Sequence, residues 1–239
     1  MLLRPLLALL LLAVPVAARA GQRATYTQAD GKLLAIDVGD DGVARVGEPG
    51  SDEYGLLRAD GFYIVSQASG AWQVARIADV AAAIDQVVPP IFKDILTAPD
   101  AHKPPAAFRI ERGTGRRNVG GRSGQVYTVY GMNVANPAEA ETFVISDDPT
   151  LRPIGHAMEQ FMDAALVPAA APIMTAAADL IAETHAIFAL GTPLDAGGRF
   201  RLQSIDAVDV PGSAMLLPAK PQTVGELVAA MKAAQAKPQ

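Results

Sequence analysis

The sequence predicts an α+β fold: an antiparallel sheet of short strands packed against helices. Three observations carry this reading. Residues 23–77 run in short alternations of apolar and polar side chains separated by Asp-Gly and Ser-Gly pairs, the pattern of hairpins with one buried face. From Asp79 the period lengthens, and Val80, Ile84, Val87, Ile91 and Ile95 form the stripe of an amphipathic helix. Strands return after position 107, are interrupted by a second apolar helical block over 151–190, and end near 220.

Residues 1–20 combine Arg4, an apolar run of 11 residues from Leu6 to Val16 and the small-x-small triplet Ala18-Arg19-Ala20. This reads as a signal peptide cut after Ala20, because so short a run falls well below the roughly 20 residues a spanning helix needs. The mature chain is expected in the periplasm, not membrane-spanning, and beginning at Gly21. Strands are predicted at Arg23–Thr27, Leu33–Val38, Val43–Val46, Tyr54–Arg58, Phe62–Ser66 and Trp72–Ile77. Leu34, Ile36 and Val38 fall on one face and Asp37 on the other; Trp72 and Val74 share a face with Arg76.

The first helical block, near 79–98, is broken by Pro89-Pro90, and 99–107 is a Pro-rich connector. Strands at Phe108–Arg112, Asn118–Val119, Gln125–Gly131 and Thr142–Ser146 follow, with hairpin turns at Gly113–Arg117 and Gly121–Gln125. Asp148-Pro149 opens the second block, whose stripe is Ile154, Met158, Phe161, Met162 and Ala165. Pro168 and Pro172 divide it, a second piece runs over about 173–190 to the stop at Gly191, and no residue from Ala164 to Ala178 is charged. The last strands are expected at Arg199–Ile205 and Ser213–Leu217. Thr223 and Glu226 form a capping box that opens a helix carrying Leu227, Val228 and Met231. The domain division is thus a signal peptide over 1–20, one domain over 21–220 with helical insertions, and a detached C-terminal helix and tail over 221–239.

Gly and Pro together supply 39 of 239 residues, about 16%, too few for a collagenous or low-complexity chain. With no Cys there is no disulfide scaffold, thiolate metal site or N-terminal lipid-modified cysteine. The net charge is −5, and removing Arg4 and Arg19 leaves 18 basic against 25 acidic residues, a formal −7. That balance argues against nucleic acid as partner.

The chemical motifs read more simply as structure. Asp37, Asp41, Gly42 and Glu48 sit at calcium-loop spacing, but Gly39 stands at a ligand position and the flanks are strands, so an acidic β-turn is expected. His156 and Glu159 are spaced i, i+3 without a matching pair elsewhere; His102 and His185 are read as solvated or capping. Gly121-Arg122-Ser123-Gly124-Gln125 lacks the second glycine of a nucleophile elbow, and Gly113-Thr114-Gly115-Arg116-Arg117 lacks the Lys of a P-loop. No catalytic residue, metal site or cofactor is assigned. Arg109, Arg112, Arg116, Arg117 and Arg122 cluster within 14 residues, either as a solvated hairpin tip or as an anion- or partner-facing surface.

The order of elements, with Leu33–Val46 followed by Tyr63–Val74, the pair Gly124–Tyr130 and Glu141–Ile145, and the closing Val210–Pro218, resembles the periplasmic half-barrel family that includes the lipoprotein carrier LolA. The resemblance implies an incomplete antiparallel β-barrel, a half-barrel of roughly ten or more strands covered by helices. It also implies a concave apolar face able to receive acyl chains. The carrier's long N-terminal helix and its cavity arginine have no equivalent here. A lipid or acyl chain held between sheet and helices is the first functional expectation, with Trp72, Phe143, Met158, Phe161, Met162 and Met174 as candidate ligand-binding residues. The alternative is an envelope protein-interaction component with a filled half-barrel and Arg112, Arg116, Arg117 and Arg122 facing its partner. A hydrolase would need a constellation formed only in space, such as His156, Glu159 and His185 in one cleft.

Overall fold

Turn chemistry turns the N-terminal third into a meander. The structure is a computed structural model that describes residues 19–235 except 40, 69, 88–107, 133–135, 137 and 170–173, and only the backbone of 19–20, 165–169 and 174–180. Gly31, at φ +84°, closes the hairpin between β1 (Arg19–Gln28) and β2 (Leu33–Gly39), a left-handed conformation that a side chain would resist. β3 (Ala44–Gly47), β4 (Tyr54–Arg58), β5 (Gly61–Ala68) and β6 (Ala71–Arg76) follow, each antiparallel to the strand before it. A second group comprises β7 (Arg109–Val119), β8 (Arg122–Tyr130), β9 (Ala140–Ser146), β10 (Thr192–Ala196) and β11 (Phe200–Val210).

Among the described residues these eleven strands form one sheet in the order β6-β5-β4-β3-β2-β1-β11-β10-β9-β8-β7, antiparallel throughout. The long β1–β11 ladder, from Arg19 opposite Val210 to Gln28 opposite Phe200, joins the two halves. β6 and β7 stand at opposite ends of the order, so the sheet is open, consistent with an incomplete barrel.

Four helices are described: α1 (Ile77–Val87), α2 (Arg152–Ala169), α3 (Met174–Phe188) and α4 (Val224–Gln235). Asp148 accepts from the Thr150 N–H at 2.9 Å and caps a 3₁₀ turn, Pro149–Leu151, that runs into α2. Leu151, Ile154, Ala157 and Met158 are at most 1% exposed and join Tyr26, Leu34, Ile36 and Val46 in the main core, which seats α2 on that sheet face. The opposite face of β4–β6 buries Leu56, Tyr63, Val65 and Val74 with Val210 and Met215.

Several expectations are corrected. Ser213–Leu217 is not a strand. Pro211, which lacks an N–H, ends the ladder at Val210, and Gly212–Met215 turns as 3₁₀ helix to bury Met215. Gly113–Arg117 is not a hairpin turn; β7 is one strand from Arg109 to Val119, bulged between Arg112 and Arg116. The Gln125 side-chain amide reaches the bulge and donates to the carbonyls of Gly113 (2.6 Å) and Gly115 (2.9 Å), replacing ladder bonds. The true turn is at Gly120 and Gly121, both at positive φ. β10 escaped the sequence reading because it is short and contains Pro193 at an irregular pairing with β9. α1 starts at Ile77, two residues earlier than expected. α4 is not detached. Its capping box forms as expected, with Glu226 accepting from the Thr223 N–H at 2.7 Å, and Leu227, Val228 and Met231 pack on Val80, Ala83 and Ile84 of α1. Arg19 and Ala20, at the expected cleavage point, pair with Val210 and Asp209 as the start of β1. The rest of the signal segment, the 88–98 helix, the 99–107 connector with His102, and the tail after 235 lie outside the described residues.

Candidate functional site

Beyond Met158, α2 carries Phe161 and Ala164, which with Leu34 of β2 and Phe62 and Ile64 of β5 line a groove of about 620 Å³ between helix and sheet. Strand alternation places Phe62 and Ile64 on one face, away from Tyr63 and Val65, which are buried in the opposite cluster. Phe62 is held by a missing side chain: a Cβ on the neighbouring-strand Gly55 would fall within its ring. Polar residues lie at the groove's rim. Lys32 and Glu48 pair at 2.9 Å, both largely exposed, and Ser51, Glu53 and Ser66 stand beside them. The hydrogen bond to Glu48 holds the Lys32 ammonium above its ordinary pKa.

The six residues expected to line one ligand site are distributed. Phe161 is in the groove. Phe143, Met158 and Met162 surround a void of only about 50 Å³ with Phe188 and Phe200, room for a water or two and far less than a ligand chain. They are core here. Trp72 is on β6, sharing the Val74 side of the sheet rather than the α2 side; it is 37% exposed and meets Tyr54 edge-on at 6.4 Å. The side chain of Met174 lies outside the described residues. One helical stripe on α2 thus serves two environments, the small void at Met158 and Met162 and the groove at Phe161. Leu34, Phe62 and Ile64 were missed as site residues. Their alternation was legible, but nothing local to β2 or β5 names α2 as the helix across the groove.

The arginine stretch largely satisfies itself. Arg116 pairs with Asp147 at 3.0 Å, Arg117 with Asp195 at 3.2 Å, and Arg109 with Glu111 at 3.0 Å while stacking on Tyr130. The Arg116 bond holds the Asp147 carboxyl below its usual range. Arg112 and Arg122 make no ion pair among the described residues, although each lends charge to the neighbouring Asp147 and Asp148.

Two histidine–carboxylate pairs occupy α2 and α3. His156 Nδ1 lies 3.8 Å from Glu159, and His185 Nε2 lies 3.0 Å from Asp163, whose hydrogen bond raises the imidazole pKa. A second groove of about 360 Å³ includes His156, Glu159, Ser146 and Thr192. Both hydroxyls there donate to backbone carbonyls, Ser146 to Ser123 at 3.2 Å and Thr192 to Leu151 at 2.8 Å, and neither is bonded to an imidazole. At the acidic β2–β3 turn, Asp37 faces Arg23 through two bonds of 2.6 and 2.8 Å, and Glu48 is engaged by Lys32. The ends of the calcium-like spacing are therefore committed to cations, while Asp40 lies outside the described residues. Among the described residues no group of three or more His, Asp or Glu is placed to hold a metal ion, and no described helix is long and apolar enough to cross a membrane. Comparison with protein-family models, curated proteins and solved structures gave no match.

Proposed function

We propose that the chain is an exported, periplasmic, non-enzymatic protein, similar to LolA-like half-barrel proteins, that holds an apolar ligand such as a lipid or acyl chain between its sheet and α2. The observation that carries this reading is the groove of about 620 Å³, with Leu34, Phe62, Ile64 and Phe161 as apolar lining and Lys32, Glu48 and Glu53 at its rim. Its volume falls in the range of small-molecule sites, and an apolar trough with a charged rim suits an amphiphile. The test is to purify the full chain from the envelope, extract it with organic solvent and identify lipid by mass spectrometry, beside the Phe161→Asp variant. Stoichiometric lipid with the parent chain and none with the variant supports the reading. A ligand-free parent that shows no saturable uptake of an apolar fluorescent probe overturns it.

The second reading, an envelope interaction component, draws on the filling of the interior around Phe143, Met158 and Met162 and on Leu216, 60% exposed beside the 3₁₀ turn. In-cell cross-linking from a photoreactive residue at Leu216 that captures one specific envelope protein supports it. Recovery of background species alone removes it.

A further inference from the structure

The groove is closed at one end and open at the other. Strand alternation sets Phe62, Ile64 and Ser66 of β5 in a row on the α2 side. Phe62 is 2% exposed, whereas Ile64 and Ser66 are half-buried. At the Phe62 end the sheet face is filled: Phe62 pairs with Leu57 of β4 and Leu57 with Ala44 of β3, and all three belong to the main core. Gly55 lets the Phe62 ring lie against β4, which seats it as the end of the groove. At the Ser66 end the groove runs out past Lys32 and Ser51, both of which stand between strands. Phe161 and Ala164 of α2, close to one helical turn apart, form the facing wall.

These limits define what fits. At about 3.3 Å per residue, the run from Phe62 to Ser66 spans about 13 Å. An extended hydrocarbon advances about 1.25 Å per carbon, so about ten carbons fill this run and about twelve reach the mouth. A methylene takes up about as much liquid volume as a water molecule, about 30 Å³, so one chain of twelve carbons needs about 360 Å³ and two need about 720 Å³. The groove holds about 620 Å³. One chain fits and a pair does not.

We propose that the groove takes a single unbranched chain of about ten to twelve carbons, with Phe62 as the stop that sets its length; this rests on the reading that the groove holds an apolar chain. The test measures displacement of an apolar fluorescent dye from the full chain by octyl, decyl, dodecyl and tetradecyl maltoside, each below its micelle-forming concentration. Affinity is expected to rise about fourfold per methylene from octyl to decyl, and to gain less than about twofold from dodecyl to tetradecyl. In Phe62→Ala the stop is gone, and tetradecyl should exceed dodecyl by about tenfold or more. Phe62→Leu, a smaller change to the core, should move the limit in the same direction and decides the matter if Phe62→Ala does not fold. Dodecylphosphocholine should bind at least about tenfold more tightly than dihexanoylphosphatidylcholine, which divides as many chain carbons between two chains. An unbroken rise through tetradecyl in the parent chain, a limit unmoved in the Phe62 variants, or equal binding of the one-chain and two-chain probes overturns the length assignment and leaves apolar binding standing. Failure of the dye and every maltoside to bind overturns both.

Discussion

Gly55 offers a sharp test of how the groove lining is built. It lies in β4 under the ring of Phe62, which is 2% exposed, and a Cβ there would occupy the space of the ring. Its φ is not in the left-handed region, so the backbone itself accepts alanine. Gly55→Ala should therefore cost only what displacing Phe62 costs. Overpacking of this kind amounts to about 1–3 kcal/mol, and complete loss of an aromatic's burial reaches about 3 kcal/mol. With Phe62→Ala already present the ring is gone. The same glycine substitution should then be neutral or stabilise by about 0.4–1 kcal/mol, through the smaller entropy of the unfolded chain. The coupling between the two positions is expected to exceed about 1.5 kcal/mol. Urea unfolding followed by circular dichroism, with the denaturant slope compared across all four proteins, measures it. An equal cost of Gly55→Ala in both backgrounds would refute the argument that Phe62 is the reason for the glycine.

Other expectations follow from the same contacts. Met158, 1% exposed in the main core, should lose about 2–5 kcal/mol of stability on Met158→Ala, read by the same unfolding assay; a change below 1 kcal/mol would mean the interior under α2 is loosely packed. Asp37→Ala leaves Arg23 without its two short bonds across β1–β2 and should cost about 1–3 kcal/mol, whereas Asp30→Ala in the exposed turn should cost less than Asp37→Ala. His185 has its pKa raised by Asp163, so the charged imidazole is favoured by folding. The stability this adds is complete below about pH 6 and is lost as pH rises through the raised value; thermal scans between about pH 5 and 8 should show this slope, and His185→Gln should remove it. Arg116→Gln should release Asp147, raising its carboxyl pKa by carbon-detected NMR, and an unchanged value would break the assigned pair.

Much of the fold was legible because its signals are local. The Asp30-Gly31 turn, the alternation of Leu34, Ile36 and Val38, the Asp148-Pro149 helix start and the Thr223–Glu226 capping box each require only neighbours in sequence, and each forms. What was misread depends on partners distant in the chain. Gly113–Gly115 looks like a turn until Gln125 supplies the bonds that make it a bulge within a strand. Pro193 argues against a strand until β9 accepts it with a shifted register, and its carbonyl receives the Tyr26 hydroxyl at 3.0 Å. The arginines looked like a free cationic surface because Asp147 and Asp195, their counterions, lie 31 and 78 residues away. The stripe on α2 divides between two spaces for a similar reason. Helical spacing groups Met158, Phe161 and Met162, but a helix lying against a curved sheet turns one flank to the core and the other to the groove, and only the assembled sheet distinguishes them.

The central claim is that an apolar chain enters the groove between β5 and α2, and the absence of cysteine allows a direct measurement. Ser66→Cys places a single attachment point in the groove, and Ala207→Cys places one on the exposed part of β11. Each variant, labelled with an environment-sensitive fluorophore, is titrated with dodecyl maltoside below its micelle-forming concentration. The account predicts a saturable blue shift from position 66, none from position 207, and loss of the response at position 66 when Phe161→Asp is added. Equal responses at the two positions, or none at position 66, would contradict it.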